Sequence, residues 1–323
     1  MDAKLAGQLF PRVFDHLPNW QLALLLACGR LVGMEYPGRD SIFSHLHLNF
    51  LASPKKWPVL DYRVLSYKSA ISNALIEISG DGYHGKISAF FRPVPQKQPK
   101  FDELKSMVDS REFKDQRVLV IGGSRGIGEV AAKLLSAGGA EVKLSYHKGS
   151  REAQWVADEI NSGGGIASYF LLDILDPGFD LSEQVGGHWQ PTDLLYFATP
   201  FIFDGARDRF SNQLFELFCC FYVTGFLDVL EKLRSTGFNN CRVLYPSSIS
   251  LEQDVRDMGE YSAAKAAGEQ VCAFVEKCGW GFRFHTPRFP RLRTDQTTSL
   301  LPTERHDTAS NVLQALRNLK ALN

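Results

Sequence analysis

From Gln116 onward, short apolar runs alternate with longer stretches in which apolar positions return every three or four residues. The short runs predict strands at Val118–Ile121, Val142–Tyr146, Tyr169–Leu172, Leu194–Ala198, Arg242–Tyr245 and Phe282–His285. The longer stretches predict helices over Gly126–Ser136, Arg151–Ser162, Asn212–Arg234, Tyr261–Cys278 and Thr308–Lys320. Strands that alternate with helices imply a parallel sheet covered on both faces, a doubly wound α/β architecture.

The first hundred residues follow another pattern. A helix is predicted at Trp20–Val32, followed by period-two runs at Ser44–Phe50, Tyr62–Tyr67, Ala74–Ser79 and Lys86–Arg92. One apolar helix and consecutive strands imply a small α+β unit, a helix wrapped by an antiparallel sheet. The polar, proline-rich stretch Arg92–Leu104 discourages a continuing strand. Three segments are therefore expected: an α+β domain over 1–95, a linker or short helix over 96–115 and a nucleotide-binding domain over 116–323.

Composition narrows the function classes. Thirty-six basic residues balance thirty-six acidic ones, so neither sign is in excess to attract nucleic acid or another polyanion. The apolar run Leu22–Cys28 is far short of the roughly 18–20 residues of a membrane span. No signal-peptide pattern opens the chain. Cys28, Cys219, Cys220, Cys241, Cys272 and Cys278 lie in apolar segments without a CxxC pair, which implies reduced core cysteines and a cytoplasmic protein. His45-x-His47 invites a metal reading. No carboxylate or cysteine cluster completes a ligand set, so simple strand alternation and no metal are expected.

The chemistry gathers at two places. Gly122-x-x-x-Gly126-x-Gly128 falls where a strand turns into a helix, as a backbone approaching a pyrophosphate requires. Tyr261 and Lys265 stand four apart at the start of a helix, on one face, with Ser248 thirteen residues upstream at a strand end. A lysine so placed favours the tyrosinate and draws a phenol towards useful acidity. A nearby serine hydroxyl can hold a carbonyl oxygen. The end of the second strand decides the nucleotide. An acidic residue there would bind a ribose hydroxyl and repel a 2′-phosphate, whereas this chain has Ser145, Tyr146, His147 and Lys148, with Arg125 in the glycine loop. NADP is expected.

Together these motifs resemble the short-chain dehydrogenase/reductase family over residues 116 to 300. The glycine motif is similar to that family's TGxxxGxG, with Ile121 in the threonine position. The resemblance implies a Rossmann-type doubly wound sheet and an NADP-dependent oxidoreductase. It implies that Tyr261 is the acid/base, Lys265 binds the nicotinamide ribose and tunes Tyr261, and Ser248 positions the carbonyl. Gly122, Ser124, Arg125, Gly126, Ile127, Gly128, Tyr146, His147, Lys148, Asp173 and Ala198 are then the other cofactor contacts, with Asp173 at the adenine. Four positions depart from the pattern. Tyr196-Phe197-Ala198-Thr199 replaces NNAG, Tyr222 replaces the asparagine of the proton relay, Pro287-Arg288 replaces PG, and no last strand follows Thr308–Lys320.

The first unit resembles part of a MaoC-type hotdog fold over about residues 10–95, on phrases such as GRDSIFSHLHLNF and GKISAFFRPVP. Hotdog folds handle acyl thioesters. The combination implies an NADPH-dependent ketoreductase of a 3-oxoacyl thioester, bound to an acyl carrier protein or coenzyme A, in a polyketide or fatty-acid-like pathway. Two alternatives stay open: reduction of a free small ketone, and a non-catalytic dinucleotide-binding scaffold that recruits a synthase. A hotdog dehydratase would need a histidine with an acidic partner, and neither Asp15-His16 nor His45-x-His47 forms one. The helix predicted over Asn212–Arg234 is apolar around most of its circumference, so a homodimer is expected.

Overall fold

The computed structural model describes residues 3–55, 59–93, 95–185, 189–237, 240–253, 256–299 and 303–322. The chain divides into two compact units, Met1–Pro95 with Thr298–Thr303, and Gln96–Thr297 with Glu304–Asn323.

In the first unit, α1 (Ala3–Leu9), α2 (Pro11–Phe14) and α3 (Asn19–Arg30) precede β1 (Ser41–Phe50), β2 (Asp61–Lys68), β3 (Asn73–Gly80) and β4 (Tyr83–Phe91). The strands form one antiparallel sheet in the order β1-β4-β3-β2. Alternate residues Ile76 and Ile78 of β3, and Tyr83, Ile87 and Ala89 of β4, bury one sheet face. Against them lie Leu24 and Cys28 of α3 and Leu31 and Val32 just after it. The expected helix wrapped by an antiparallel sheet is therefore present, and such a unit is compatible with a small hotdog-like domain. β2, at the sheet edge, is exposed along its whole length. His45 and His47 are exposed, and the Asn49 side chain lies within hydrogen-bonding distance of His47 and His84. Among the described residues no three His, Cys, Asp or Glu side chains converge as a metal site.

The second unit contains α4 (Phe101–Lys105), β5 (Arg117–Ile121), α5 (Gly126–Ala137), β6 (Glu141–Tyr146), α6 (Ser150–Ser162), β7 (Ile166–Leu171) and β8 (Asp193–Tyr196). There follow α7 (Asn212–Cys219), α8 (Gly225–Ser235), β9 (Cys241–Leu244), β10 (Ser247–Ser248), α9 (Gly259–Lys277), β11 (Phe282–His285), β12 (Arg288–Phe289) and α10 (Thr308–Lys320). Six parallel strands run in the order β11-β9-β8-β5-β6-β7, a Rossmann-type sheet. Alternation along β5 sorts the two layers. Val118 and Val120 pack with α5, α6 and α10, while Leu119 and Ile121 pack with α7, α8 and α9. The chain order reverses between β6 and β8 on either side of β5, so a crevice opens at the carboxyl end of β5.

Three sequence expectations change. Residues 96–115, expected as a linker or short helix, include the helix Phe101–Lys105 and carry Phe101, Leu104 and Phe113, all buried in the core of the second unit. Met107 and Val108 pack against the same core. The cysteines are all free, but Cys220 and Cys278 are exposed and only Cys28, Cys241 and Cys272 are buried. Finally, Asn212–Ser235 is one helix long and apolar enough, by length and composition, to cross a membrane. Its apolarity has a local cause, since Phe218, Tyr222, Phe226, Val229, Leu230 and Leu233 pack into the core.

Candidate active site

A cleft of about 930 Å³ opens at the carboxyl ends of β5, β6 and β8, and its lining runs from the glycine loop to Tyr261. Gly122, with φ +83°, and Gly126, with φ +62°, make the turn from β5 into α5. A Cβ on Gly128 would stand 2.2 Å from the Gly122 carbonyl oxygen, so only glycine fits where the helix crosses the strand end. The loop is held to β6. The Gly122 amide donates to Ser145 Oγ at 3.0 Å and the Gly123 amide to the Ser145 carbonyl at 2.9 Å. Arg125 precedes α5 in extended conformation and makes no side-chain cap, which leaves the first-turn amides of the helix for a ligand anion. These features suit a pyrophosphate cradle.

The neighbouring wall carries the residues expected to choose the nucleotide. Arg125, Tyr146, His147 and Lys148 line the cleft, and no carboxylate follows the end of β6. Asp173 accepts from the Leu175 amide at 3.0 Å and lies 3.4 Å from His147 Nε2. Ser124, Ile127 and Ala198 also line the cleft, so the residues expected at the cofactor and catalytic sites all border one cavity.

At the far end, β10 carries Ser248 and α9 carries Tyr261 and Lys265. Ser248 Oγ accepts from the Ser250 amide at 3.2 Å. The Tyr261 phenol is buried, which pushes its pKa up to about 12, while a hydrogen bond with Ser248 pulls the other way. Lys265 is buried too, and desolvation pulls it down to about 7. Its ammonium donates to the Pro246 carbonyl at 2.7 Å. The Nζ atom is 3.9 Å from the centroid of the Tyr222 ring, 4.8 Å from that of Tyr245 and 6.0 Å from that of Tyr261. Lys265 was expected to draw the Tyr261 phenol towards acidity, whereas burial raises that phenol. Burial dominates both groups, and Tyr222 is the nearer ring.

Tyr222 sits in a π-helical turn, Cys220–Thr224, between α7 and α8. Such turns re-aim a side chain within a helix. Here the Tyr222 hydroxyl meets Thr199 Oγ1 at 2.5 Å, and its ring is edge-on to Tyr261 at 5.7 Å. Tyr245 adds a hydroxyl that donates to the Tyr222 carbonyl at 3.0 Å.

Sequence reasoning missed the brace behind the site. Glu269, one turn beyond Lys265, accepts the Ser247 hydroxyl at 2.5 Å and two bonds from Arg288, at 2.9 and 2.7 Å. Arg288 also reaches Glu252 at 3.0 Å. β10 and β12 pair in parallel, Ser247 with Arg288 and Ser248 with Phe289. The brace therefore fastens the strand bearing Ser248 to the helix bearing Tyr261. The one visible sequence signal was Arg288 in the position of a family glycine.

A family model described as short chain dehydrogenase matches residues 116–277, half of the chain. The chain belongs to the short-chain dehydrogenase family. No curated protein sequence matches it. Among solved structures, this family member is similar to a putative short chain dehydrogenase from Escherichia coli CFT073 complexed with NADPH. The TM-score is 0.57 at 21% identity, over 65% of this chain and 93% of that one. It is similar to FolM alternative dihydrofolate reductase 1 from Brucella canis complexed with NADP, with a TM-score of 0.54 at 16% identity over 65% and 89% of the two chains. It is also similar to the promiscuous reductase LugOII, which catalyses keto-reduction at C1 during lugdunomycin biosynthesis. There the TM-score is 0.50 at 22% identity over 56% and 77%. At these identities the likeness is one of fold.

Proposed function

We propose that the protein is an NADPH-dependent ketoreductase. The observation that carries this reading is the convergence of Ser248, Tyr261 and Lys265 on the same cleft as the glycine loop and the α5 N-terminus. Gly122, Ser124, Gly126, Ile127 and Gly128 hold the pyrophosphate, Arg125, His147 and Lys148 the 2′-phosphate, Asp173 and Tyr146 the adenosine side, and Ala198 and Lys265 the nicotinamide side. Bound there, the nicotinamide supplies a hydride. Ser248 holds the carbonyl oxygen by its hydroxyl. Tyr261 donates its phenolic proton to that oxygen as negative charge develops on it. A phenol raised to about 12 is protonated at neutral pH, the form in which it can act as an acid.

The substrate we propose is a 3-oxoacyl thioester, carried by an acyl carrier protein or coenzyme A in a polyketide or fatty-acid-like pathway. The supports are the apolar cleft wall of Phe201, Ile202, Phe203, Leu217, Phe221 and Met258, the resemblance of the first unit to a hotdog, and keto-reduction by a structural neighbour. We further propose a cytoplasmic homodimer, for which the partly exposed Leu217 of α7 and Phe274 of α9 provide apolar contacts. A scaffold without turnover is the second reading, favoured by the Tyr222 ring beside Lys265. Loss of nicotinamide absorbance on mixing NADPH with a 3-oxoacyl thioester tests the two: turnover supports the reductase, and tight NADPH binding without turnover supports the scaffold.

Arg125→Ala is expected to weaken NADPH binding by roughly ten- to a hundredfold, the worth of a charge-assisted hydrogen bond, and to leave NADH binding unchanged. Fluorescence titration of both nucleotides reads the difference. Equal weakening would show that Arg125 does not meet the 2′-phosphate.

Glu269 is a positioning residue. Glu269→Gln keeps the shape but removes the charge that holds Arg288, so Ser248 loses its registration on Tyr261. Turnover is expected to fall about tenfold with NADPH affinity unchanged. Arg288 and Ser247 hold the Glu269 carboxyl below its ordinary range, so the brace persists at mildly acid pH and is lost only as pH falls through that lowered value. The acid limb that this titration gives the wild-type rate should therefore be absent in Glu269→Gln, whose rate converges with that of the wild type at low pH, and Glu269→Asp should restore part of the rate. A uniform loss of rate at all pH values would reduce Glu269 to a purely structural role.

A further inference from the structure

The loop between β12 and α10 carries two arginines whose donors are not used up. Arg291 lines the cleft that holds Ser248 and Tyr261. Its guanidinium lies over the Phe203 ring, 4.9 Å from the centroid, and Nη2 donates to the Thr297 carbonyl at 3.2 Å. Its Nε is buried with no hydrogen-bond partner, and so is Nη1 of Arg305. The two guanidinium groups are near enough to repel one another. Together with burial this outweighs the attraction of Asp257, so Arg291 is held below its ordinary range. Buried unpaired N–H donors and uncompensated like charges are both unfavourable, and one bound anion would relieve both.

The surroundings place Arg291 on the Tyr261 side of the cleft. Asp257 lies just ahead of α9, and a Cβ on Gly205 would stand 2.1 Å from the Asp257 carbonyl, so the segment bearing Phe203 packs against the entry to the helix that carries Tyr261. The planar fork of a guanidinium matches carboxylate and phosphate geometry.

We propose that Arg291, with Arg305 beside it, forms an anion-binding end of the substrate site, which takes a carboxylate or phosphate borne by the carbonyl substrate. This rests on the ketoreductase reading of the same cleft. The anion has two sources, a free carboxylate on the carbonyl substrate or a phosphate of the thioester arm.

The test is calorimetric titration of the full chain saturated with NADP. Two matched pairs are used: levulinate against ethyl levulinate, and acetoacetyl-coenzyme A against ethyl acetoacetate. The charged member of at least one pair is expected to bind roughly thirtyfold tighter or more. That advantage should vanish in Arg291→Met, weaken in Arg305→Met and survive in part in Arg291→Lys, with NADP affinity unchanged throughout. Preference for levulinate identifies a carboxylate, and preference for acetoacetyl-coenzyme A a phosphate. Equal binding within both pairs, or an advantage that survives in Arg291→Met, overturns the proposal. So does a parallel fall in NADP affinity, which would assign the anion to the dinucleotide. NADPH oxidation is followed with the same ketones. An Arg291-dependent advantage without turnover would sink the reductase reading and leave the anion site standing.

Discussion

Tyr261→Phe is expected to abolish NADPH-dependent reduction while the protein still binds NADPH. The change removes a single oxygen from a ring buried against Phe218 and Tyr222, so the packing of α9 is preserved. What is lost is the phenolic proton donor hydrogen-bonded to Ser248, and the developing alkoxide must then take its proton from water. A positioned acid contributes about 10²- to 10⁴-fold, and the upper end is expected here because the phenol is shielded from solvent. Stopped-flow absorbance on wild type and variant gives the ratio, and nucleotide titration shows that the cofactor site is intact. A variant with wild-type turnover would remove Tyr261 from the chemistry. Binding without turnover in both proteins would favour the scaffold.

Lys265→Met is expected to act in opposite directions on activity and stability. Activity should fall by about a hundredfold or more, because the residue proposed to face the ribose and support Tyr261 is gone. The fold without nucleotide should become more stable. Burial takes the Lys265 pKa from its ordinary value of 10.5 to about 7, so the folded chain holds this proton more weakly than the unfolded chain does. The unfolded state therefore binds more protons between those two values, and stability rises with pH across that window. The penalty is full below pH 7 and disappears towards 10.5. It is on the order of a few kcal/mol, reduced by the contact of the ammonium with the Tyr222 and Tyr245 rings. Lys265→Met should thus raise the melting temperature by several degrees at pH 6–7, and the gain should shrink at higher pH. A gain independent of pH would mean that lost charge is not the cause.

Both predictions depend on the aromatic wall around Lys265, and that wall was only half visible in the chain order. Tyr222 stood out as a replacement for asparagine. Its partners did not, because Thr199, Tyr245 and Pro246 lie in segments far apart in sequence and meet Tyr222 or Lys265 only through the sheet. The same holds for the Glu269 brace and the Arg291–Arg305 pair. A carboxylate on an amphipathic helix or an arginine in a loop is usually solvated, and nothing local marks one that folding will enclose.

Elements were legible where burial follows period. α10 and β11 occupy the predicted residues, because α10 buries one regular face and β11, although an edge strand, buries Phe282 and half-buries Phe284. β7 starts three residues earlier than predicted, at Ile166. As an edge strand it leaves Ile166, Tyr169 and Leu171 exposed, so its apolar pattern does not report its pairing. The anchor of Phe101, Leu104 and Phe113 was hidden for a different reason, since the prolines and charged residues around it read as a spacer.

The sequence by itself determined the doubly wound sheet, the glycine turn and the Ser248, Tyr261 and Lys265 set, because these depend on spacing within one strand, one turn and one helix. Only the tertiary structure decided the charge states of Tyr261 and Lys265, the place of Tyr222 and which polar side chains lost their water. Those properties follow from desolvation and from contacts between segments distant along the chain, and both come into being when the sheet closes over its helices.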